Sequence, residues 1–272
     1  MNKITTRGFY LAVDPQVSNQ VGSAILVTGM ARTGSTLLGN LLHSCQGVEY
    51  LFEPPALFGL FPLLDTIPDR DWMWLYGMYL FGDFLLDAVA GRRLNLNPHD
   101  ASYFGAAKSS GDLAQRLGRT WPTEELFQLA SERRICYKMP DIVPWVPKLM
   151  ELFPGTKVVL TVRSSDYIVR SLLRKRWFGD AGKAARWYGW EGRFPIWLPL
   201  DLRSKWRSTD ECGRCWLYVE FMEAQASKLE GVAVVKYEDL TRSPRSVFAS
   251  LTKQLDLAWG PRSEQLLASV KE

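Results

Sequence analysis

Apolar and polar positions change period several times along the chain, and those changes divide it into elements. Residues 24–29 form an apolar run that breaks at Gly29; after a polar turn, apolar positions return at Leu37, Leu38, Leu41 and Leu42. The first pattern predicts a buried strand and the second predicts one face of a helix over 35–45. Residues 48–52 read as a short strand stopped by Pro54 and Pro55. Further strands are expected at 135–139, 157–162 and 232–236, the second of these rich enough in β-branched residues for a buried parallel strand. Helices are expected at 122–133, from about 141 to 153, after Asp166, up to about Leu229, and after Ser243 and Pro244, which suit N-cap and N1 positions. Residues up to about Gln20 show no clear period and are expected to be an irregular lead-in. Alternating strands and helices predict an α/β fold, a parallel sheet with right-handed crossovers flanked by helices.

Two stretches interrupt the alternation. Residues 55–120 are aromatic-rich and helical in pieces, with breaks at Pro62, Pro68 and Pro98, and read as an insertion covering the site. Residues 177–206 mix Trp and Arg with Gly and Pro, which suits a lid or acceptor-binding loop, and Trp187, Trp190 and Trp197 would suit stacking on a ring. With these as insertions, the 272 residues are read as one P-loop-like domain, its core at about 20–257. The most apolar stretch, 72–90, is interrupted by Asp83 and Asp87, each costing about 2.5–3.5 kcal/mol at a bilayer centre, so it reads as a buried or groove-lining helix.

Composition changes this picture little. A formal net charge of +4 suits an anionic ligand but is too weak to imply nucleic acid. The first residues lack the apolar core and small-residue cleavage site of a signal peptide, which leads us to expect a cytoplasmic protein. Among four cysteines, Cys212 and Cys215 form a C-x-x-C that lacks two further ligands for zinc and falls inside an expected helix, not at its start. No metal site is expected.

The candidate chemistry sits at strand ends. From Gly29 to Gly34 the spacing is that of a P-loop, whose backbone amides at a helix start attract phosphate or sulfate. The expected Lys after the second glycine is Ser35, and the cation is instead Arg32, within the loop. The strand 157–162 ends at Arg163, where a magnesium nucleotide site would place an acid. Arg163, with Ser171 two helical turns on, points to a second anion. Glu53 ends the strand 48–52, facing the crevice where open α/β sheets bind ligands.

Taken together, these stretches resemble the sulfotransferases that use 3′-phosphoadenosine 5′-phosphosulfate (PAPS). Residues 29–37 look like that family's 5′-phosphosulfate loop, residues 153–171 like its 3′-phosphate motif with Arg163 followed eight residues later by Ser171, and residues 235–244 like its Tyr-Glu-Asp-Leu segment. The resemblance implies in-line transfer of a sulfuryl group from PAPS to a hydroxyl or amine of a carbohydrate-like or small-molecule acceptor, releasing PAP. It implies that Arg32, with Thr33, Gly34, Ser35 and Thr36, holds the 5′-phosphosulfate and that Arg163 and Ser171 hold the 3′-phosphate. Many cytosolic members carry Lys-x-His in the third strand, whereas here Lys138 is followed by Met139 and Pro140, so that histidine is missing. Glu53 followed by Pro54 is similar to the Glu-Pro of carbohydrate sulfotransferases, which makes Glu53 the expected general base and Lys138 a helper that stabilises charge. The chain stops at Lys271 and Glu272 without the basic loop that closes over the 3′-phosphate in many members, which implies a clasp supplied otherwise or weakened PAPS binding. Two other readings fit the loop: a nucleotide kinase-like phosphotransferase, and a nonenzymatic PAP or nucleotide-binding protein. Neither the acceptor nor the oligomeric state can be read from these residues.

Overall fold

In the computed structural model, which describes residues 15–179 and 194–270, five strands make one sheet in the order β2-β3-β1-β4-β5. They are β1 (Ile25–Gly29), β2 (Val48–Phe52), β3 (Arg134–Lys138), β4 (Lys157–Val162) and β5 (Ala233–Lys236), and every pair is parallel. The expected α/β class with a parallel sheet is thus observed. Central position explains composition: β1 lies between β3 and β4 and is buried along its whole length, so both faces must be apolar. Edge strands escape that demand, and β5 leaves Val234 and Lys236 exposed.

Period-two alternation sorts the strand residues onto two faces. Leu26, Tyr137 and Val158 meet a core built largely from the 55–89 region, while Ile25, Val27, Cys136 and Val159 meet helices Ser35–His43 and Pro244–Gln254. In the first core the Tyr76 and Tyr137 hydroxyls, both fully buried, satisfy one another at 2.6 Å. The 72–90 stretch is broken into helix Asp69–Gly77, a π-helical segment Met78–Leu86 and the turn Asp87–Val89. Leu80, Phe81, Phe84 and Leu85 point inward while Asp83 is exposed; among the described residues no helix is long and apolar enough to cross a membrane.

Two expectations need correction. Residues 15–22 are not irregular but form helix Pro15–Gly22, because Val17 and Val21, one turn apart, give it an apolar face against the core; residues 1–14 lie outside the described part. Cys212 and Cys215 open helix Glu211–Ala226 instead of lying in its interior, and both thiols are free. Burial pushes the Cys215 thiol up to about 12, with the nearby acids adding to the shift, the opposite of a reactive thiol.

Two buried acids hold the frame. Glu49 of β2 accepts two hydrogen bonds from Arg116, each 2.9 Å, with both side chains at most 5% exposed, and Arg116 also donates to the Ala88 carbonyl. This pair ties the sheet edge to the region between β2 and β3. Asp141, just past β3, takes a left-handed backbone (φ 67°), donates its N–H to the Gly29 carbonyl, and accepts at Oδ1 from Ala31 N–H (3.1 Å) and from the Tyr218 hydroxyl. Burial, reinforced by Glu53, raises the Asp141 carboxyl to about 7 against the pull of its Tyr218 and Ala31 donors.

Removing one partner of a buried ion pair leaves an uncompensated charge, so Glu49→Ala is expected to lower unfolding free energy by about 3–5 kcal/mol, read from urea denaturation. For Asp141 the sign is opposite to that of a salt-bridged acid. From pH about 4, where an unfolded Asp titrates, up to its folded value of about 7, the folded chain holds a proton that the unfolded chain releases. Its stabilising contribution is full below that window and lost as pH rises through it. Urea midpoints at pH 5 and pH 8 are expected to show Asp141→Asn gaining on the wild type as pH rises.

Candidate active site

All five strands send their carboxyl ends to the same edge, and each delivers a residue there. β1 leads into the turn with Arg32, β2 ends at Glu53, β3 at Lys138, β4 at Arg163 and β5 at Tyr237. The chain runs from β1 to one side of the sheet and later returns to the other, which makes the β1 end the topological switch point. A cavity of about 530 Å³ opens there, lined by Arg32, Gly34, Ser35, Thr36, Phe52, Glu53, Lys138, Arg163, Trp177 and Tyr237.

The turn after β1 is forced by its glycines. A Cβ on Gly29 (φ 134°) would stand 2.3 Å from the Thr161 carbonyl oxygen, and one on Gly34 (φ 85°) would stand 2.3 Å from the Tyr237 ring. Only glycine permits β4 and Tyr237 to press so close. Thr33 is consumed inside the turn, its hydroxyl 2.7 Å from the Met30 carbonyl and 2.6 Å from Thr161 Oγ1, so the hydroxyl donors left for a ligand are those of Ser35 and Thr36. Helix Ser35–His43 makes its first backbone bond from Leu38 N–H to Gly34 (3.1 Å); the amides ahead of it are those a helix start leaves without intrahelical acceptors.

Arg32 is exposed and held in a left-handed backbone (φ 74°). Its Nε donates to Ser171 Oγ (2.9 Å), its guanidinium lies 5.8 Å from the Trp177 ring centre, and its carbonyl accepts from Arg163 at 3.3 Å. Arg163 stacks over Tyr237 at 4.0 Å. The structure therefore brings Arg163 and Ser171 together through Arg32, with buried Ser171 serving as its brace. Across the cavity, Lys138 Nζ is paired with Glu53, donates to Thr36 Oγ1 (3.0 Å) and sits 4.5 Å from the Phe52 ring centre. Burial lowers the Lys138 pKa and the Glu53 carboxylate counteracts it. Glu53 itself adopts φ 43°, its N–H bonded to the Lys138 carbonyl at 3.0 Å.

Of five non-glycine residues with positive φ among the described residues, Arg32, Glu53 and Asp141 lie within three residues after the ends of β1, β2 and β3. Such backbone costs about 1–3 kcal/mol and concentrates at functional sites. Sequence reasoning missed the wall made by Trp177, Tyr237 and Phe52; strand-end position could have found Phe52 and Tyr237. It also missed the Asp141–Tyr218 support, for which the sequence holds no local signal. Of the three tryptophans expected to stack on an acceptor, Trp187 and Trp190 lie outside the described residues. Trp197 is 3% exposed and packs against Phe178, Trp206 and Tyr218, because a buried aromatic cluster fills the space behind Met30.

Comparison with solved structures returns sulfotransferases. The chain aligns with sulfotransferase STF1 from Mycobacterium tuberculosis at 18% identity and TM-score 0.44, covering 90% of this chain and 70% of that one. With STF9 from Mycobacterium avium the values are 14%, 0.46, 93% and 69%, and with the sulfotransferase from Alicyclobacillus acidocaldarius 15%, 0.43, 86% and 81%. No curated protein sequence matches the chain. A model of the sulfotransferase family matches residues 24–261, a span that contains every strand and each cavity-lining residue named above, and the chain belongs to that family.

Proposed function

We propose that this enzyme moves a sulfuryl group from PAPS to a hydroxyl or amine of a carbohydrate-like or small-molecule acceptor, with Glu53 as general base. The observation that carries this reading is the division of one cavity into two sides. Arg32, Arg163 and the amide-lined turn stand on one, and the Lys138–Glu53 pair stands on the other. The first side fits a doubly phosphorylated donor, having two guanidiniums, a helix start and two hydroxyls in a volume of about 530 Å³. Arg32 and the amides of residues 33–36 would hold the 5′-phosphosulfate, and Arg163 with Ser171 the 3′-phosphate. When bound, PAPS supplies an electrophilic sulfur and a good leaving group.

What the chain contributes is charge placement. Transfer at sulfur spreads negative charge over peripheral oxygens and the departing oxygen, so fixed donors lower the barrier without reorganising. Arg32 is fixed by Ser171 and Trp177, and Thr36 by Lys138. The Lys138 ammonium keeps Glu53 oriented toward the shared cavity, and Glu53 takes the proton of the attacking hydroxyl. Phe52 and Trp177 wall the site and limit water beside the reacting groups.

Three variants test the assignment. Arg32→Ala is expected to lower transfer from PAPS at least 100-fold. Glu53→Gln is expected to lower kcat by about 10²–10⁴, the range for a general base, while PAP affinity measured by calorimetry stays within threefold; full turnover in this variant would remove Glu53 from the mechanism. Arg163→Ala is expected to weaken PAP by about 10–100-fold, the worth of a charge-assisted bond, and to leave adenosine 5′-phosphate affinity unchanged; equal losses for both ligands would move the 3′-phosphate site elsewhere.

A further inference from the structure

A second cavity, of about 410 Å³, lies along the outer edge of β2 and shares Phe52 with the first. The two also meet through neighbouring residues, Ala101 lining one and Ser102 the other. β2 ends the sheet, so its outer side has no strand partner. Glu53 N–H and the Gly47 carbonyl both bond β3, so by alternation the peptide groups of Tyr50 and Phe52 face away from β3, toward this cavity. Its walls are apolar at Phe84 and Phe104, and its rim carries Arg92 and Arg93, both exposed.

The charge balance here is positive. Glu49 at the cavity floor is neutralised by its two bonds to Arg116, and His43 is held uncharged at neutral pH by burial and by the nearby Lys108 and Arg116. Arg92 is bonded to Asp87 at 3.3 Å in an exposed pair, whereas Arg93 lies 5.8 Å from the Tyr79 ring centre. Behind the wall, His43 Nδ1 and the Tyr50 hydroxyl are buried without a hydrogen-bond partner among the described residues. Buried polar groups are ordinarily satisfied, so each exception asks for a partner or an explanation. Burial raises the Tyr50 hydroxyl pKa well above its ordinary value, with Cys136 and Glu53 adding to the shift.

Resting on the sulfuryl-transfer reading above, we propose that this second cavity is the acceptor subsite and that it selects hydroxylated acceptors bearing an anionic group remote from the reacting hydroxyl. The anionic group, a carboxylate, phosphate or sulfate, sits at Arg92 and Arg93. The body of the acceptor lies between Phe84 and Phe104, and its hydroxyl passes Phe52 to reach Glu53. A cavity of this size suits a compact acceptor of one or two rings.

Calorimetric titration of the PAP-loaded enzyme with two matched pairs tests this: 4-hydroxyphenylacetate against its amide, and a glucuronyl-terminated disaccharide against the glucosyl one. At least one anionic member is expected to bind tenfold or more tighter than its neutral partner. Arg92→Gln with Arg93→Gln, both exposed positions, is expected to erase that preference with PAP affinity unchanged. Glu53→Gln is expected to keep the preference while losing turnover. Equal binding within both pairs, binding of neither pair, or a preference that survives the double substitution overturns the proposal. Failure to bind PAP would instead overturn the donor assignment, and the pair comparison, repeated without PAP, would still report on the cavity.

Discussion

A single buried ammonium organises the carboxyl edge of the sheet. Lys138 is 4% exposed, and an ammonium so removed from water is tolerated only when paired and hydrogen-bonded. Its partners come from three places: Glu53 after β2, Thr36 in the first turn of helix Ser35–His43, and the face of Phe52. Meeting all three demands requires β2 and β3 in their observed register, with Phe52 opposite Lys138, and the turn after β1 drawn over both. The pair that serves the proposed chemistry is thus also what aligns the strand ends.

The opposite side of the cavity obeys a different constraint, close approach of backbone. Gly29 lets β4 crowd the turn, Gly34 admits the ring of Tyr237, and Arg32 takes up the left-handed backbone that results. Beneath them Asp141 and Tyr218 converge on Ala31 N–H, so the turn is held from below by β3 and by helix Glu211–Ala226. Strain at Arg32, Glu53 and Asp141 is stored where the sheet and its supporting helices can over-determine it. The dry cluster of Phe178, Trp197, Trp206 and Tyr218 supplies that rigidity, which is why Trp197 belongs to the framework and not to an acceptor surface.

The proposed acceptor side is built from many short pieces. β2 is an edge strand, and the region that covers it is assembled from short helices, a π-helical segment and the loop with Arg92 and Arg93. The Glu49–Arg116 pair, the Tyr76–Tyr137 hydroxyl contact and the apolar core shared with Leu26 and Tyr137 lock that cover to the sheet. Covers of this kind let one fold host different sites by changing loops alone.

Local pattern carried much of this by itself. A short apolar run ending at a glycine reads as a buried strand, a Gly-x-x-x-x-Gly turn before a leucine-faced helix reads as a helix start suited to an anion, and Arg163 stands at a strand end where a magnesium site would place an acid; these are consequences of short-range backbone chemistry, legible within ten residues. Helix Pro15–Gly22 was missed because two valines give too weak a period without the core that buries them. What only the tertiary structure decided is which strand ends are neighbours: that Lys138 pairs with Glu53 across 85 residues, that Ser171 braces Arg32 across 139, and that Tyr218 reaches Ala31 across 187. Sheet order sets those meetings, and order depends on how the whole set of apolar faces is buried at once, a sum over the chain that no local stretch contains.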